Sequence, residues 1–235
     1  MQKVHFVTYA DSNYRGQQIL LSNQAKDSAQ FDSVIMLTEQ DLKSSSYYEK
    51  NKSILDRTDE GIDGRVKPGF FAWKPWVIHE AFQKIDDNDI VMYIDCGDKL
   101  KNLQQLRGAL LKSMNHIDVL LTKGAFKNSQ YTKADCFVYM NAFSPKIIHA
   151  IQIEAGILVF KKTEFCKTLI RKWARFCMDA RIITSDANVC GQENMPDFVE
   201  HRWDQSILSI LAEKHDLFQS DLMRNFVDCN AQDNK

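Results

Sequence analysis

The chain has 235 residues, 44% of them hydrophobic and 26% charged, enough to bury the core of one large α/β domain or two small ones. Its 30 basic and 31 acidic side chains leave a formal net charge of −1, which excludes the global positive field that draws a protein to duplex nucleic acid or an anionic membrane. Nine glycines and four prolines leave little room for disorder, and six widely spaced cysteines include no close pair of the kind that holds zinc or forms a redox dithiol, a usage that predicts a reducing compartment.

Val4 to Tyr9 is a short apolar run ending in Ala10-Asp11-Ser12-Asn13, a cluster of turn and cap residues, and reads as a first strand with its loop. A helical stretch from Tyr14 to Lys26 leads to a second strand at Phe31 to Leu37, and the β-α-β order predicts a parallel sheet. The polar segment from Glu39 to Asp63 is expected to hold a helix over Asp41 to Leu55 and then a loop rich in Asp and Gly. Pro75 suits the first turn of a helix over Trp76 to Lys84, and Ile90 to Ile94 is the most apolar strand, expected at the centre.

Further on, Leu103 to Met114 reads as an amphipathic helix, Ile117 to Leu121 as a strand, and Tyr131 to Asn141 as a short helix capped by Thr132. Ala155 to Phe160 is the last clear strand. Thr163 to Met178 predicts a long helix with Phe165, Leu169, Trp173 and Phe176 on one buried stripe. A loop from Ile182 to Phe198 precedes a final helix over Trp203 to Lys214, and the chain after Asp228 reads as a frayed tail. The expectation is a single domain over residues 1–228 with a tail at 229–235. No apolar run approaches the roughly 20 residues that span a bilayer, so the predicted location is the cytoplasm, with a membrane periphery as the second option.

Two stretches carry chemistry. Gly69-Phe70-Phe71-Ala72-Trp73-Lys74-Pro75-Trp76 feeds the central strand, and that strand stops on Asp95-Cys96-Gly97-Asp98, two carboxylates flanking a glycine. Carboxylates at the carboxyl edge of a parallel sheet are placed to hold a divalent cation or a ribose, which points to a phosphate-handling enzyme. Lys74 in its apolar setting needs a carboxylate or a phosphate as partner.

In order along the chain, Val7-Thr8-Tyr9, Phe71-Ala72-Trp73-Lys74-Pro75, Tyr93-Ile94-Asp95-Cys96-Gly97-Asp98, Tyr131-Thr132-Lys133-Ala134-Asp135, Gln152-Ile153-Glu154-Ala155-Gly156 and His201-Arg202-Trp203-Asp204-Gln205-Ser206 resemble the motifs of GT-A type nucleotide-sugar glycosyltransferases. The likeness runs roughly from Val4 to Leu211 and is nearest to bacterial and viral polysaccharide-decorating transferases. It implies a Rossmann-like α/β domain whose central, mostly parallel sheet is flanked by helices. The amino-terminal half would take the donor nucleotide and the carboxy-terminal half the acceptor. Where the family carries Asp-x-Asp, this chain has its second carboxylate one position later, at Asp98.

The resemblance implies transfer of a hexose from a UDP or GDP sugar to a hydroxyl of a glycan, as a step of polysaccharide biosynthesis. Growing charge on the departing diphosphate would be met by Mn2+ or Mg2+ on Asp95 and Asp98, or by Lys74, with Arg65 as a weaker candidate for the same anion. Tyr9 would stack on the base, the Thr8 backbone would bond it, and Asp95 would meet the ribose or the metal. Glu154 and Asp204 are the candidates to take the acceptor proton or to steady a positive sugar ring. Lys133, Asp135 and His201 would line the acceptor side, with a metal-ligand role as the alternative for His201 and an ordinary hydrogen-bond network as its structural reading.

Each residue also has a structural reading. Asp95 to Asp98 is equally a polar turn, Lys74 a lysine with a buried stem, Tyr9 a packing residue, Asp204 a helix cap, and Lys133 with Asp135 a capping charge pair. Two other functions stay open. A sugar-phosphate nucleotidyltransferase lacks support because Ala10-Asp11-Ser12-Asn13 is not a glycine-rich loop. A non-catalytic carbohydrate-binding module would display Trp73, Trp76 and Trp203.

Overall fold

The computed structural model describes residues 2–229. The frayed tail expected at 229–235 falls, apart from Cys229, outside the described residues. Six strands form the central sheet: β1 Val4–Ala10, β2 Ser33–Thr38, β3 Ile90–Ile94, β4 Val119–Lys127, β5 Ile151–Lys161 and β6 Gln219–Ser220, in the spatial order β2-β1-β3-β5-β4-β6. β1 lies parallel to β2 and β3, β6 lies parallel to β4, and β5 runs against both of its neighbours. The sheet is therefore mostly parallel, with one reversed strand.

β1 and β3 are apolar on both faces because both faces are covered. Phe6, Ile90, Met92 and Ile94 enter one core with Leu21 and Leu110, while Val7, Val91 and Tyr93 enter the other with Trp76, Phe82 and Trp173. The first core lies under α1 Arg15–Asp27 and α4 Leu106–Met114. The second lies under α3 Lys74–Gln83, α5 Glu164–Cys177 and α6 Trp203–Lys214.

Several expected elements divide or shift. The helix expected over Asp41 to Leu55 breaks into Glu39–Lys43 and α2 Ser46–Leu55, because Ser45 leaves helical geometry and caps α2 by accepting from the Tyr48 amide. The segment expected as one helix capped by Thr132 splits into Asn128–Tyr131 and Ala134–Tyr139. Thr132 is extended and buried between them, and its hydroxyl accepts from Gln152 Nε2 at 3.0 Å. Residues 103–105 form a 3-10 turn ahead of α4.

The stripe on α5 is also rotated. Cys166, Leu169, Ile170, Trp173 and Cys177 are buried, whereas Phe165 is 41% exposed and meets His215 edge-on. The loop expected before Arg65 contains a two-stranded hairpin, Thr58–Glu60 with Val66–Pro68. Short edge strand β6 and the helical turn Ala180–Ile183 were not anticipated. All six cysteines are unpaired, and among the described residues no helix is long and apolar enough to cross a membrane.

Two irregularities on β5 shape the functional edge. Leu121 pairs with Leu158 but Thr122 pairs with Glu154, so residues 155–157 bulge against β4. The bulge reverses the alternation, placing Ile153 and Ala155 in the same core as Leu158 and Phe160. Lower down, a second shift falls between Lys123 and Lys127, where a Cβ on Gly124 would sit 2.5 Å from the Gln152 carbonyl oxygen. Backbone cannot yield there as a flexible side chain would. Gly124→Ala is expected to lower stability by about 1–3 kcal/mol, read as a lower urea midpoint, and an unchanged midpoint contradicts this packing.

Candidate active site

The chain runs from β1 outward to β2 and then crosses back to β3 on the other side of β1. Carboxyl ends of β1 and β3 thus meet at a topological switch point, where open α/β sheets leave a crevice for ligands. A cleft of about 390 Å³ lies there. Tyr9, Ala10 and Asp11 line it from β1, Asp95 to Asp98 from β3, Arg65 to Pro68 from the hairpin, and Phe71 and Trp73 from the approach to α3. Tyr9 stacks on Trp73 with ring centroids 4.0 Å apart and planes at 28°. Only 5% of Tyr9 is exposed, so one face of its ring is committed to Trp73.

Behind Asp95 lies Lys74, 4% exposed. Pro75 opens α3, and Phe70 and Phe71 both take positive φ, at 54° and 57°, to turn the chain into that helix. The Lys74 ammonium donates to Asp95 Oδ2 at 3.2 Å and to the Ala155 carbonyl at 3.1 Å, and lies 3.9 Å from Asp204 Oδ2. Rings of Phe71, Trp73 and Tyr93 surround it at 5.2, 5.9 and 5.8 Å. Burial pushes the ammonium down, but the Asp95 and Asp204 carboxylates outweigh it and hold Lys74 above the ordinary lysine value. It stays charged.

Tyr93 completes the arrangement by donating its hydroxyl to Asp95 Oδ1 at 2.5 Å. No separate role was expected for Tyr93, although strand alternation puts positions 93 and 95 on one face. Gly156 was missed as well. A Cβ there would come within 3.1 Å of Asp95 Oδ2 and 3.6 Å of Asp98 Oδ2, so both carboxylates turn toward the same small cradle beside the β5 bulge. That donor set fits a divalent cation held by two carboxylates and completed by substrate phosphates. Among the described residues no cluster of three or more His, Cys, Asp or Glu side chains is placed to hold a metal ion.

Asp204, in the first turn of α6, is 2% exposed, and its Oδ2 accepts no hydrogen bond among the described residues. Burial first, then the Asp95 charge, push its carboxyl up to about 7 against the pull of Lys74. That upward direction stands because the Lys74 ammonium hydrogen-bonds Asp95 and only approaches Asp204. Asp204 is not among the residues lining the cleft.

Glu154 is partly exposed beyond the bulge. Its Oε1 accepts from Arg224 Nη2 at 2.6 Å, and its Oε2 lies 3.9 Å from Cys229 Sγ. Burial pushes the Cys229 thiol up to about 12, and the Asp98 and Glu154 charges add to it. Thr8 is buried, with its carbonyl accepting from Gln18 Nε2 at 3.2 Å. Arg65 reaches the cleft and lies 3.8 Å from Asp63.

Lys133, Asp135 and His201 come together, but away from the cleft. Lys133 Nζ donates to the Asp186 carbonyl at 2.7 Å and lies 3.4 Å from Asp135 Oδ2, and Asp135 accepts from the amides of Val189 and Cys190. His201 donates from Nε2 to the Ile182 carbonyl and accepts the Lys133 amide at Nδ1, and burial lowers its pKa to about 3. All three are at most 2% exposed and hold the 184–201 segment in place.

No protein-family model matches the sequence, and no curated protein matches it. Among solved structures, the chain is similar to mouse xyloside xylosyltransferase 1 in its apo form, at 9% identity over 93% of this chain and 84% of that one, with a TM-score of 0.45. It is similar to the apo glycosyltransferase GlyE of Streptococcus pneumoniae TIGR4 at 14% identity over 94% of this chain and 45% of that one, with a TM-score of 0.38. A third likeness is to mannose-6-phosphate isomerase of Helicobacter pylori, at 12% identity over 95% and 92% of the two chains and a TM-score of 0.34. At these scores the likenesses carry no argument about activity.

The buried Asp204 has a consequence for stability. Between its unfolded value of 3.8 and its folded value of about 7, the folded state holds a proton that the unfolded state lacks, so this group's contribution falls as pH rises through that window. His201 acts oppositely between about 3 and 6.5 but is common to wild type and variant. Relative to wild type, Asp204→Asn is expected to gain on the order of 2 kcal/mol between pH 5 and pH 8, since one pKa unit is worth about 1.4 kcal/mol. Urea unfolding of both proteins at the two pH values measures it. Parallel profiles would show that Asp204 is ionised throughout.

Proposed function

We propose that this protein is a GT-A type glycosyltransferase that moves a hexose from a UDP or GDP sugar to a hydroxyl of a glycan. The observation that carries the reading is the position and lining of the cleft: a switch-point crevice with carboxylates fixed at its floor and Arg65 at its exposed lip, next to Lys67, whose ammonium pairs with Asp63 at 2.8 Å. Such a lining suits a diphosphate joined to a polyhydroxylated body. The order of motifs along the chain supports the same choice.

In this reading the bond between the sugar and the diphosphate breaks, the acceptor oxygen bonds the same carbon, and the acceptor proton passes to a carboxylate. Asp95 meets the donor at the floor, fixed from behind by Lys74 and Tyr93. Mn2+ or Mg2+, held by Asp95 and Asp98, would supply Lewis-acid neutralisation of the leaving diphosphate. Asp204 acts through Lys74 as a positioning residue, because it is buried behind the ammonium. Glu154, kept in place by Arg224, is left as the carboxylate to receive the acceptor proton or to steady the sugar ring. Thr8, Lys133, Asp135 and His201 hold the surrounding scaffold.

The binding-module alternative loses its motivation, since Trp73, Trp76 and Trp203 are 8%, 4% and 4% exposed. Calorimetric titration with UDP-glucose and GDP-mannose, with and without Mn2+, tests the proposal. Saturable binding of at least one donor is expected, weakened tenfold or more by Asp95→Asn and by Arg65→Ala, equivalent to about 1.4 kcal/mol. Arg65 stands at the exposed lip, so its variant separates donor contact from loss of fold. Absence of binding, or binding indifferent to both substitutions, overturns the assignment.

A further inference from the structure

A second depression, of about 670 Å³, lies on the other side of the two short helices that wall the cleft, and the two share no lining residue. Its size falls within the range of small-molecule sites. Three features of its wall point to one kind of ligand.

Lys50, Lys84 and Arg171 line it, and none of them has an ion-pair partner among the described residues, Arg171 donating only to the Thr168 hydroxyl at 2.9 Å; Asp41, one of two carboxylates in the lining, is taken up by the Thr38 capping box. Ser44, Ser45 and Ser46 line it between the two short helices and give that side of the wall a polar surface. Trp76 lies in the wall at 4% exposure, with its indole nitrogen buried from the surface, so it forms wall there and is not a donor to the depression. Donors and positive charge exceed acceptors. Glu80, the remaining carboxylate in the lining, is suited to accept from a hydroxyl.

We propose that this depression is a second ligand site that takes a sugar bearing an oxyanion, with the anion at Lys84 and Arg171 and a hydroxyl at Glu80. The site rests on the glycosyl-transfer reading only for the origin of such a ligand, since a transferase acting on glycans works among phosphorylated and acidic sugars. α3 joins the two sites: Lys74 at its first residue holds Asp95, and Trp76, His79 and Glu80 on the same helix line the depression.

The test follows the Trp76 indole resonance by NMR during titration with glucose 6-phosphate, glucuronate, inorganic phosphate and neutral glucose. Saturable shifts with glucose 6-phosphate or glucuronate are expected, at least tenfold weaker with inorganic phosphate and with glucose. The double variant Lys84→Ala, Arg171→Ala should lose at least tenfold in affinity for the charged sugar while binding UDP-glucose or GDP-mannose as wild type does. Both positions are exposed, so the fold should persist. Equal response to glucose removes the oxyanion, equal response to phosphate removes the sugar, and no response to any probe removes the site. Arg65→Ala, at the exposed lip of the cleft, should leave these shifts unchanged, so failure in the cleft and failure here are read separately.

Discussion

Everything at the functional edge is organised by one buried ammonium. Moving a lysine head group out of water is expensive, and breaking its compensation leaves uncompensated charge in the interior. Lys74 is compensated by three groups from three distant parts of the chain: Asp95 at the end of β3, the Ala155 carbonyl in the β5 bulge, and Asp204 at the start of α6. Each must arrive within about an ångström of its place for the charge to be tolerated. The end of β3, the bulge of β5 and the starts of α3 and α6 are thereby fixed relative to one another. Aromatic rings of Phe71, Trp73 and Tyr93 exclude water from the same space, which strengthens every charge interaction inside it.

The reversed direction of β5 makes this possible. Ile94, the last residue of β3, pairs with Ile157, so residues 151–156 project past the end of β3 at the edge where the cleft opens. A parallel neighbour would instead have brought only its own final residues to that edge. The antiparallel strand supplies continuous backbone there, including the Gly156 carbonyl that accepts the Asp95 amide at 2.9 Å and the adjacent Ala155 carbonyl that accepts Lys74. Gly156 lacks a Cβ where Asp95 and Asp98 approach, so close packing of two carboxylates against backbone becomes possible. Glu154 and its partner Arg224 sit just beyond.

Much of this was legible in the order of residues and some could not be. Continuous apolar runs marked β1 and β3 as buried on both faces, and Lys74 in an apolar setting called for an anionic partner, found at Asp95 across 21 residues of sequence. The bulge at Ala155 to Ile157 left no mark, because a register shift is a relation between two strands and neither carries it alone. The resemblance implied acceptor contacts at Lys133, Asp135 and His201, and all three are buried. Their partners are backbone groups 19 to 55 residues away, around Ile182 to Cys190, and only the fold brings those close. The two-residue β6 lies below the length at which periodicity says anything. Phe165 was misplaced because its stripe and the neighbouring stripe through Cys166 and Ile170 differ by a single position on α5.

Asp204 shows what the arrangement costs and why it persists. Its carboxyl is buried, unmatched at Oδ2, and follows Trp203, whose φ of 43° is strained for a bulky residue. Apolar replacement of a buried charge cluster frequently raises stability, so packing alone does not account for an Asp–Lys–Asp line running from the core to the cleft. Phe71, whose φ is positive, and Asp204, whose Oδ2 is unmatched, both lie against the ammonium, at 5.2 Å from the ring and 3.9 Å from the carboxylate oxygen. A preorganised charge has this form: its partners are held in place by the fold, so none has to move when a second charge is placed beside Asp95.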